Sequence, residues 1–176
     1  MRYLRIAGTV GIRRPRPTDA AEFVAAARRS RELHHPWLAA PDTPEKYAAH
    51  LAKARRRDQQ SFLICDRPSG QIAGYVNISG IIMGPLRGGF LGYAAFLPYA
   101  GTGHASTGIG LVLAYAFDTL GLHRVEANIQ PGNEPSRRVA RKLGFRQEGY
   151  SPDYLFIDGA WRDHERWAIT APASDG

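Results

Sequence analysis

The sequence has a single cysteine, Cys65, and no long apolar run. One cysteine excludes an internal disulfide and is typical of a protein from a reducing cytoplasm. No stretch of about 18 apolar residues is present, so no membrane-spanning helix is expected. No G-K-[ST] follows the glycine-rich segment at Gly101, which excludes a Walker A phosphate loop. Together these absences favour a cytoplasmic protein that does not enter a membrane.

Acidic residues are fewer than basic residues, and the formal net charge is +7. Nearly all of the basic excess is arginine, because the only lysines are Lys46, Lys53 and Lys142. A basic surface attracts nucleic acid, a phosphorylated coenzyme or an acidic partner. No nucleic-acid fold motif accompanies it, so direct nucleic-acid binding is not expected. The arginine run 55–57 falls at a predicted helix end, where cations are favoured anyway.

The length of 176 residues suits one domain, which we place at 1–170 with a tail at 171–176. Apolar periodicity predicts a helix over 20–33, a second beginning at Thr43-Pro44, and Cys65 as a small buried residue of a strand. The strands predicted from pattern and turn signals are 11–15, 61–66, 72–80, 90–96, 125–129, 154–157 and 161–169.

A glycine-containing loop joins the strand at 90–96 to a helical pattern that ends near Gly121. Gly101 and Gly103 let the backbone approach a ligand closely. The N–H groups that begin a helix are unpaired and carry the positive end of its dipole, so they suit a pyrophosphate. An ordinary connecting loop has the same appearance, and the loop alone does not identify a ligand.

Several motifs occur together in a recognisable order. The chain resembles the GNAT superfamily of acetyl-CoA-dependent N-acetyltransferases, and within it the RimJ/RimL ribosomal-protein-alanine branch. The matching motifs are LGY at 91–93, G-x-G-x-A at 101–105, HRVEA at 123–127, N-x-x-S at 133–136 and KLGF-x-x-EG at 142–149. Two positions depart from the family pattern. Ala100 replaces the first Gln or Arg of the loop, and Thr107 replaces a frequent Glu.

The resemblance implies an α/β (α+β) fold: a mixed, mainly antiparallel sheet of about seven strands with helices on both faces. It implies a splayed parallel pair formed by 90–96 and 123–129, with the pantetheine arm of acetyl-CoA in the gap. Acetyl-CoA is the implied cosubstrate, and no metal is expected. The implied coenzyme contacts are Ala94, Ala95, Phe96, Gly101, Thr102, Gly103, His104, Ala105, Ser106 and Asn133.

The same resemblance assigns catalytic roles in a direct transfer to an amine. Ser136 protonates the departing thiolate, Asn133 contacts the pantetheine or positions the next helix, and an N–H near Phe96 stabilises the oxyanion. From the residues alone, Asn133 is equally a helix cap and Ser136 an ordinary first-turn residue. Glu126 is a candidate base, and a salt bridge on the sheet surface is the alternative. A bound water also suffices for an α-amine, whose pKa of about 7.7–8.0 leaves part of it neutral.

The acceptor is expected near His35, Trp37 and Tyr154, although a solvated histidine and a structural tyrosine are the alternatives. Trp161 and Trp167 lie an even number of residues apart on one strand, which predicts that both pack in the core.

The leading function is N-acetylation of the α-amine of a protein or peptide. A small-molecule amine as acceptor, a non-catalytic acyl-CoA-binding domain and a homodimer remain open.

Overall fold

The computed structural model describes residues 2–172. Within that range the chain forms eight strands and five α-helices. The strands are β1 Arg5–Ala7, β2 Val10–Arg13, β3 Gln60–Asp66, β4 Ile72–Ile82, β5 Gly88–Ala95, β6 Arg124–Ile129, β7 Arg146–Ile157 and β8 Ala160–Thr170. The helices are α1 Ala20–Arg29, α2 Arg31–His34, α3 Pro44–Ala54, α4 His104–Asp118 and α5 Glu134–Lys142. The predicted tail lies largely outside the described residues.

One continuous sheet contains all eight strands, in the order β1-β2-β3-β4-β5-β6-β8-β7. Every neighbouring pair is antiparallel except β5 and β6, which are parallel. The expected mixed sheet with one parallel pair is therefore confirmed, with one strand more than expected. The additional strand is β1, which pairs with β2 at the edge of the sheet.

The sheet buries an apolar core on each face. On one face α4 and α5 contribute Ile109, Val112 and Ala140. On the other face α1 and α3 contribute Phe23 and Tyr47. Alternate residues of a strand point to opposite faces, so each strand supplies side chains to both cores.

The predicted helix over 20–33 is wrong in one respect, because it is interrupted at Ser30 between α1 and α2. The Ser30 hydroxyl donates to the Ala26 carbonyl at 2.8 Å and accepts the Leu97 N–H at 2.9 Å. A serine hydroxyl that bonds the backbone in this way competes with helix continuation. The predicted cap of α3 is confirmed, since the Thr43 hydroxyl accepts the Lys46 N–H.

The two tryptophans of β8 have different environments. Trp167 is 4% exposed, as expected, whereas Trp161 is 60% exposed and its predicted core role is wrong. The pairing of β8 with β6 ends at Glu165, so the β7–β8 hairpin extends beyond the sheet at its turn. Trp161 lies on that extension and packs edge-on against Phe156, which is also exposed.

Candidate active site

A gap opens between the two parallel strands of the sheet. β5 and β6 pair only through Gly88–Phe90 and Arg124–Glu126, although both strands continue further. The Phe96 N–H donates to the Ala73 carbonyl of β4 at 2.8 Å. In an antiparallel ladder, alternate residues turn their backbone groups to opposite neighbours. Tyr93 and Ala95 therefore turn their backbone groups away from β4 and towards the gap.

The direction of the β5 backbone groups contradicts two of the three coenzyme contacts that the sequence predicts on this strand. The backbone groups of Ala94 and the Phe96 N–H point to β4, and the Phe96 carbonyl accepts the Tyr99 N–H at 2.8 Å. None of these groups is available in the gap, and the Phe96 N–H is not an oxyanion donor. Only Ala95 of the three lies with its backbone on the gap edge. Its carbonyl accepts a hydrogen bond from the His34 imidazole at 2.7 Å. Burial lowers the pKa of His34, so the neutral ring that donates through Nε2 is favoured.

The glycine loop before α4 has the backbone conformation that glycine favours. The φ angles are 79° at Gly101 and 92° at Gly103, and Gly103 is the N-cap of α4. Within residues 2–172, the N–H groups of Gly103, His104, Ala105 and Ser106 have no hydrogen-bond acceptor. No side chain caps this helix. The loop therefore presents a cluster of unpaired donors at the positive end of a helix dipole, which suits an anion.

His104 and Thr102 form a hydrogen-bonded network beside this loop. The Thr102 hydroxyl donates to the Tyr99 carbonyl at 2.6 Å, so it accepts from His104 Nδ1 at 2.7 Å. His104 Nε2 faces the Asp66 carboxylate at 3.1 Å. Hydrogen bonds from Ser69 and His104 hold the pKa of Asp66 below its ordinary value, so the carboxylate is an acceptor. Both ring nitrogens of His104 therefore lie within hydrogen-bond distance of a partner, which fixes the ring next to the loop.

Ser106 and Lys142 connect the loop to α5. The Ser106 hydroxyl donates to the Gly103 carbonyl at 3.0 Å and accepts from Lys142 Nζ at 3.1 Å. The Ser106 side chain thus stabilises the loop, while its N–H remains unpaired. Lys142 was not predicted as a site residue, although the KLGF motif contains it. Its ammonium brings a positive charge to the first turn of α4.

Asn133 and Ser136 meet β5 across the gap. The Asn133 side chain accepts the Ser136 N–H at 3.2 Å, so the predicted cap of α5 is present. The Ser136 hydroxyl lies 2.5 Å from the Tyr93 hydroxyl, and either oxygen can donate. Burial raises the pKa of Tyr93, which keeps its proton on the ring oxygen. Tyr93 belongs to the LGY motif, but the sequence does not predict its side chain as part of the site.

Glu126 lies on β6 at the last residue that pairs with β5. Its carboxylate accepts from Arg124 Nε at 2.8 Å, and Arg124 also pairs with Glu148. The structure therefore places the candidate base in an ion-paired cluster on the sheet, the alternative arrangement for this residue. Asn128, two residues further on the same face, has a buried side-chain oxygen without a partner in the described part of the chain. Because side chains alternate between the two faces of a strand, the segment HRVEANI places Asn128 on the same face as Glu126, and the sequence could have indicated it.

The predicted acceptor residues lie around the loop after α2 and the β7–β8 turn. A cavity of about 530 Å³ lies between these segments, and His35, Trp37, Phe156 and Asp158 are among its lining residues. His35 Nε2 lies 3.5 Å from the Asp158 carboxylate. Tyr154 does not line this cavity and packs edge-on against the buried His164 ring. His35 and Trp37 are thus brought together, whereas Tyr154 lies apart from them.

Neither a metal site nor a membrane span is found in residues 2–172. No group of three or more His, Cys, Asp or Glu side chains there has an arrangement that holds a metal ion. No helix in that range is long and apolar enough to cross a membrane.

Comparison with known proteins gives consistent matches. The family described as "Acetyltransferase (GNAT) domain" matches residues 9–146. The ribosomal protein uS5-alanine N-acetyltransferase of Escherichia coli (strain K12) is 31% identical over 88% of this chain and 84% of that protein. The structure of Mycobacterium smegmatis RimJ in complex with CoA-disulfide matches with a TM-score of 0.83 at 32% identity, over 92% of this chain and 82% of that chain. Spermidine N-acetyltransferase from Vibrio cholerae, in complex with CoA and spermine, shares the fold with a TM-score of 0.78 at 21% identity, over 92% and 95% of the two chains.

Proposed function

The chain belongs to the GNAT acetyltransferase family, and we propose that it acetylates the α-amino group of a protein or peptide. Two similar proteins support this acceptor: the uS5-alanine acetyltransferase at 31% identity and RimJ at 32% identity. A ribosomal acceptor agrees with a cytoplasmic location. The spermidine enzyme supports a small amine as the second candidate, through likeness of fold alone.

The proposed coenzyme position follows from groups that lack hydrogen-bond partners within residues 2–172. The N–H groups of Gly103 to Ser106 would bind the pyrophosphate, supported by the ammonium of Lys142. This cation compensates for Ala100 at the position where the family has Gln or Arg. The gap-facing backbone of Tyr93 would bind the pantetheine arm. Acetyl-CoA, when bound, supplies an activated acetyl thioester.

The hydroxyl pair of Ser136 and Tyr93 is the observation that carries the proposed mechanism. The two oxygens lie 2.5 Å apart where α5 meets β5 across the gap. Ser136 delivers a proton to the departing thiolate, and Tyr93 replenishes it from the opposite side. Asn133 fixes the position of Ser136 by capping α5. The gap-facing N–H of Ala95, in place of Phe96, stabilises the negative charge that develops on the acetyl oxygen.

The amine attacks directly, without an acyl-enzyme. Cys65 is fully buried, and burial raises the pKa of its thiol to about 11, so it does not serve as a nucleophile. An α-amine needs little help from a base, because its pKa of about 7.7–8.0 leaves a useful neutral fraction at pH 7. Glu126 accepts the amine proton through water if Arg124 leaves one carboxylate oxygen available.

Thiol release from acetyl-CoA tests the proposal with peptides that begin with Ala or Ser and with spermidine. We expect turnover on the peptides, and we expect Ser136→Ala to lower kcat by about 100-fold or more with little change in coenzyme affinity. Thr119→Val is the matched control, since it removes an exposed hydroxyl at the end of α4. Turnover on spermidine alone would replace the acceptor class. Coenzyme binding without turnover on any amine would favour a non-catalytic domain.

A further inference from the structure

A second cavity of about 530 Å³ lies between α3 and the sheet. One helical stripe of α3 forms its roof, and alternate residues of β4 form much of its floor. The lining residues that the following argument uses are Lys53 and His50 of α3, Ser61 of β3, and Tyr75 and Asn77 of β4. Its polar floor differs from the apolar surface that a helix normally covers on a sheet. Of the α3 residues, only Tyr47 is fully buried.

The hydrogen bonds of the floor have a fixed direction. The Ser61 hydroxyl donates to the Asn77 side-chain oxygen at 2.7 Å. It therefore accepts from His50 Nε2 at 2.9 Å, because a hydroxyl has one proton to give. Burial, and secondarily Lys53, lowers the pKa of His50, so a neutral ring with its proton on Nε2 fits this chain. With its oxygen occupied, Asn77 offers only its NH₂ group to the cavity.

Tyr75 adds a hydrogen-bond donor to the same cavity. The residue is 7% exposed, and its hydroxyl forms no hydrogen bond within residues 2–172. Burial raises the pKa of Tyr75, so the hydroxyl keeps its proton. The hydroxyl is not among the fully buried atoms without a partner, so it is accessible from the cavity. Tyr75 therefore offers a proton to a ligand oxygen in the cavity.

The charges of the side chains that line the cavity also favour a ligand with acceptor oxygens. No Asp or Glu lines the cavity, whereas Lys46 and Lys53 do. Lys46 is paired with Asp42 at 2.6 Å, but Lys53 forms no ion pair with any residue in the part of the chain that the structure describes. An ammonium, an amide NH₂ and a phenol hydroxyl are all donors. Together they match a carboxylate, which accepts hydrogen bonds only.

The second cavity adjoins the first. Ala39 and Ala40 line both, so one short segment separates the space beside His35 and Trp37 from the space above Asn77. We propose that the second cavity binds the carboxylate of an acidic side chain in the acceptor peptide, downstream of the amine that is acetylated. This inference rests on the proposed peptide acceptor and specifies its substrate class: peptides with an Asp or Glu near the N-terminus.

Steady-state kinetics with amidated peptides test the inference. The peptides begin with Ala, and a single Glu is moved along them position by position, with the matching Gln peptide as reference. We expect one Glu position to lower KM by about tenfold relative to Gln, because a charged hydrogen bond is gained. Lys53→Met should remove this preference, and Tyr75→Phe should reduce it. Arg57→Met is the control, since it removes one exposed positive charge outside the cavity.

Direct binding measurements test the carboxylate site independently of the proposed acetyl transfer. Calorimetric titration with N-acetylated Glu and Gln peptides measures the cavity without turnover, and thermal melts check that each variant is folded. Equal affinity for the two peptides, or a preference unchanged by Lys53→Met, would overturn the carboxylate site even if peptides are acetylated. A Glu preference in binding that Lys53→Met abolishes, with no turnover on any peptide, would support the cavity and contradict the proposed catalysis.

Discussion

The two sides of the gap differ in the kinds of groups that form them and in how far apart those groups lie in the sequence. The proposed coenzyme side consists of backbone N–H groups and side chains close in sequence, from Gly101 to Ser106 and from Asn133 to Ser136. The proposed acceptor side is assembled from segments far apart in sequence, the loop after α2 and the β7–β8 turn. Backbone donors change little when side chains vary, whereas a cavity wall changes when its side chains are substituted. On this proposal, a scaffold can keep its coenzyme while the acceptor changes.

The strongest test of this difference uses the two tryptophans of β8. Trp167 is buried against the α5 side of the sheet, while Trp161 lies on the exposed hairpin turn of the acceptor side. We expect Trp167→Ala to lower the free energy of unfolding by about 3–5 kcal/mol. Trp161→Ala should change it by less than about 0.5 kcal/mol. Urea denaturation measures both, and comparable losses would show that the hairpin turn is part of the stable core.

A smaller effect is expected from strain in the coenzyme loop. Gly103 has a φ of 92°, and Val at this position would favour a different backbone conformation. We expect Gly103→Val to weaken coenzyme A binding by about tenfold in calorimetry, because the loop N–H groups move. Gly110→Ala is the matched control. Its new Cβ would lie 3.6 Å from the Leu143 side chain at the end of α5, an ordinary van der Waals contact. Equal affinity of Gly103→Val and wild type would contradict the anion role of the loop.

The smallest effect is expected at the contact between the acceptor loop and the hairpin turn. His35 and Asp158 lie 3.5 Å apart, and their side chains are 70% and 60% exposed. Exposed ion pairs contribute at most about 1 kcal/mol. We therefore expect His35→Ala to raise the peptide KM by about two- to fivefold and to leave coenzyme affinity unchanged. His123→Ala, which removes another exposed histidine, should change neither value. A larger loss of coenzyme affinity than of peptide affinity would reverse the assignment of the two sides.

Local sequence signals predicted the helix caps and the glycine loop of the proposed coenzyme side. Thr43 and Asn133 are caps that precede a proline-containing first turn, and the structure has both. Glycines at positive φ mark the loop before α4. Each of these features depends on residues within about one helical turn, which is the range over which capping and turn chemistry act. The partners of His104 are only partly local, since Asp66 comes from β3.

Errors of prediction occurred where distant segments decide the outcome. The break at Ser30 involves Leu97, far along the chain. The direction of the backbone groups of Ala94 and Phe96 depends on the register between β4 and β5, which alternation within one strand does not specify. Trp161 has the spacing of a buried residue, but no strand or helix covers the hairpin at that point.

By itself, the sequence determined the glycine loop and the N-x-x-S turn, because local hydrogen bonding specifies these elements. The order of its motifs indicated the family, and that resemblance implied the mixed sheet with one parallel pair. Only the tertiary structure decided which backbone groups line the gap, the pairing of Ser136 with Tyr93, and the side chains that accompany the loop. It also decided the two acceptor-side cavities. Their walls come from helices, strands and loops that meet only when the sheet is complete, so no single segment carries their pattern.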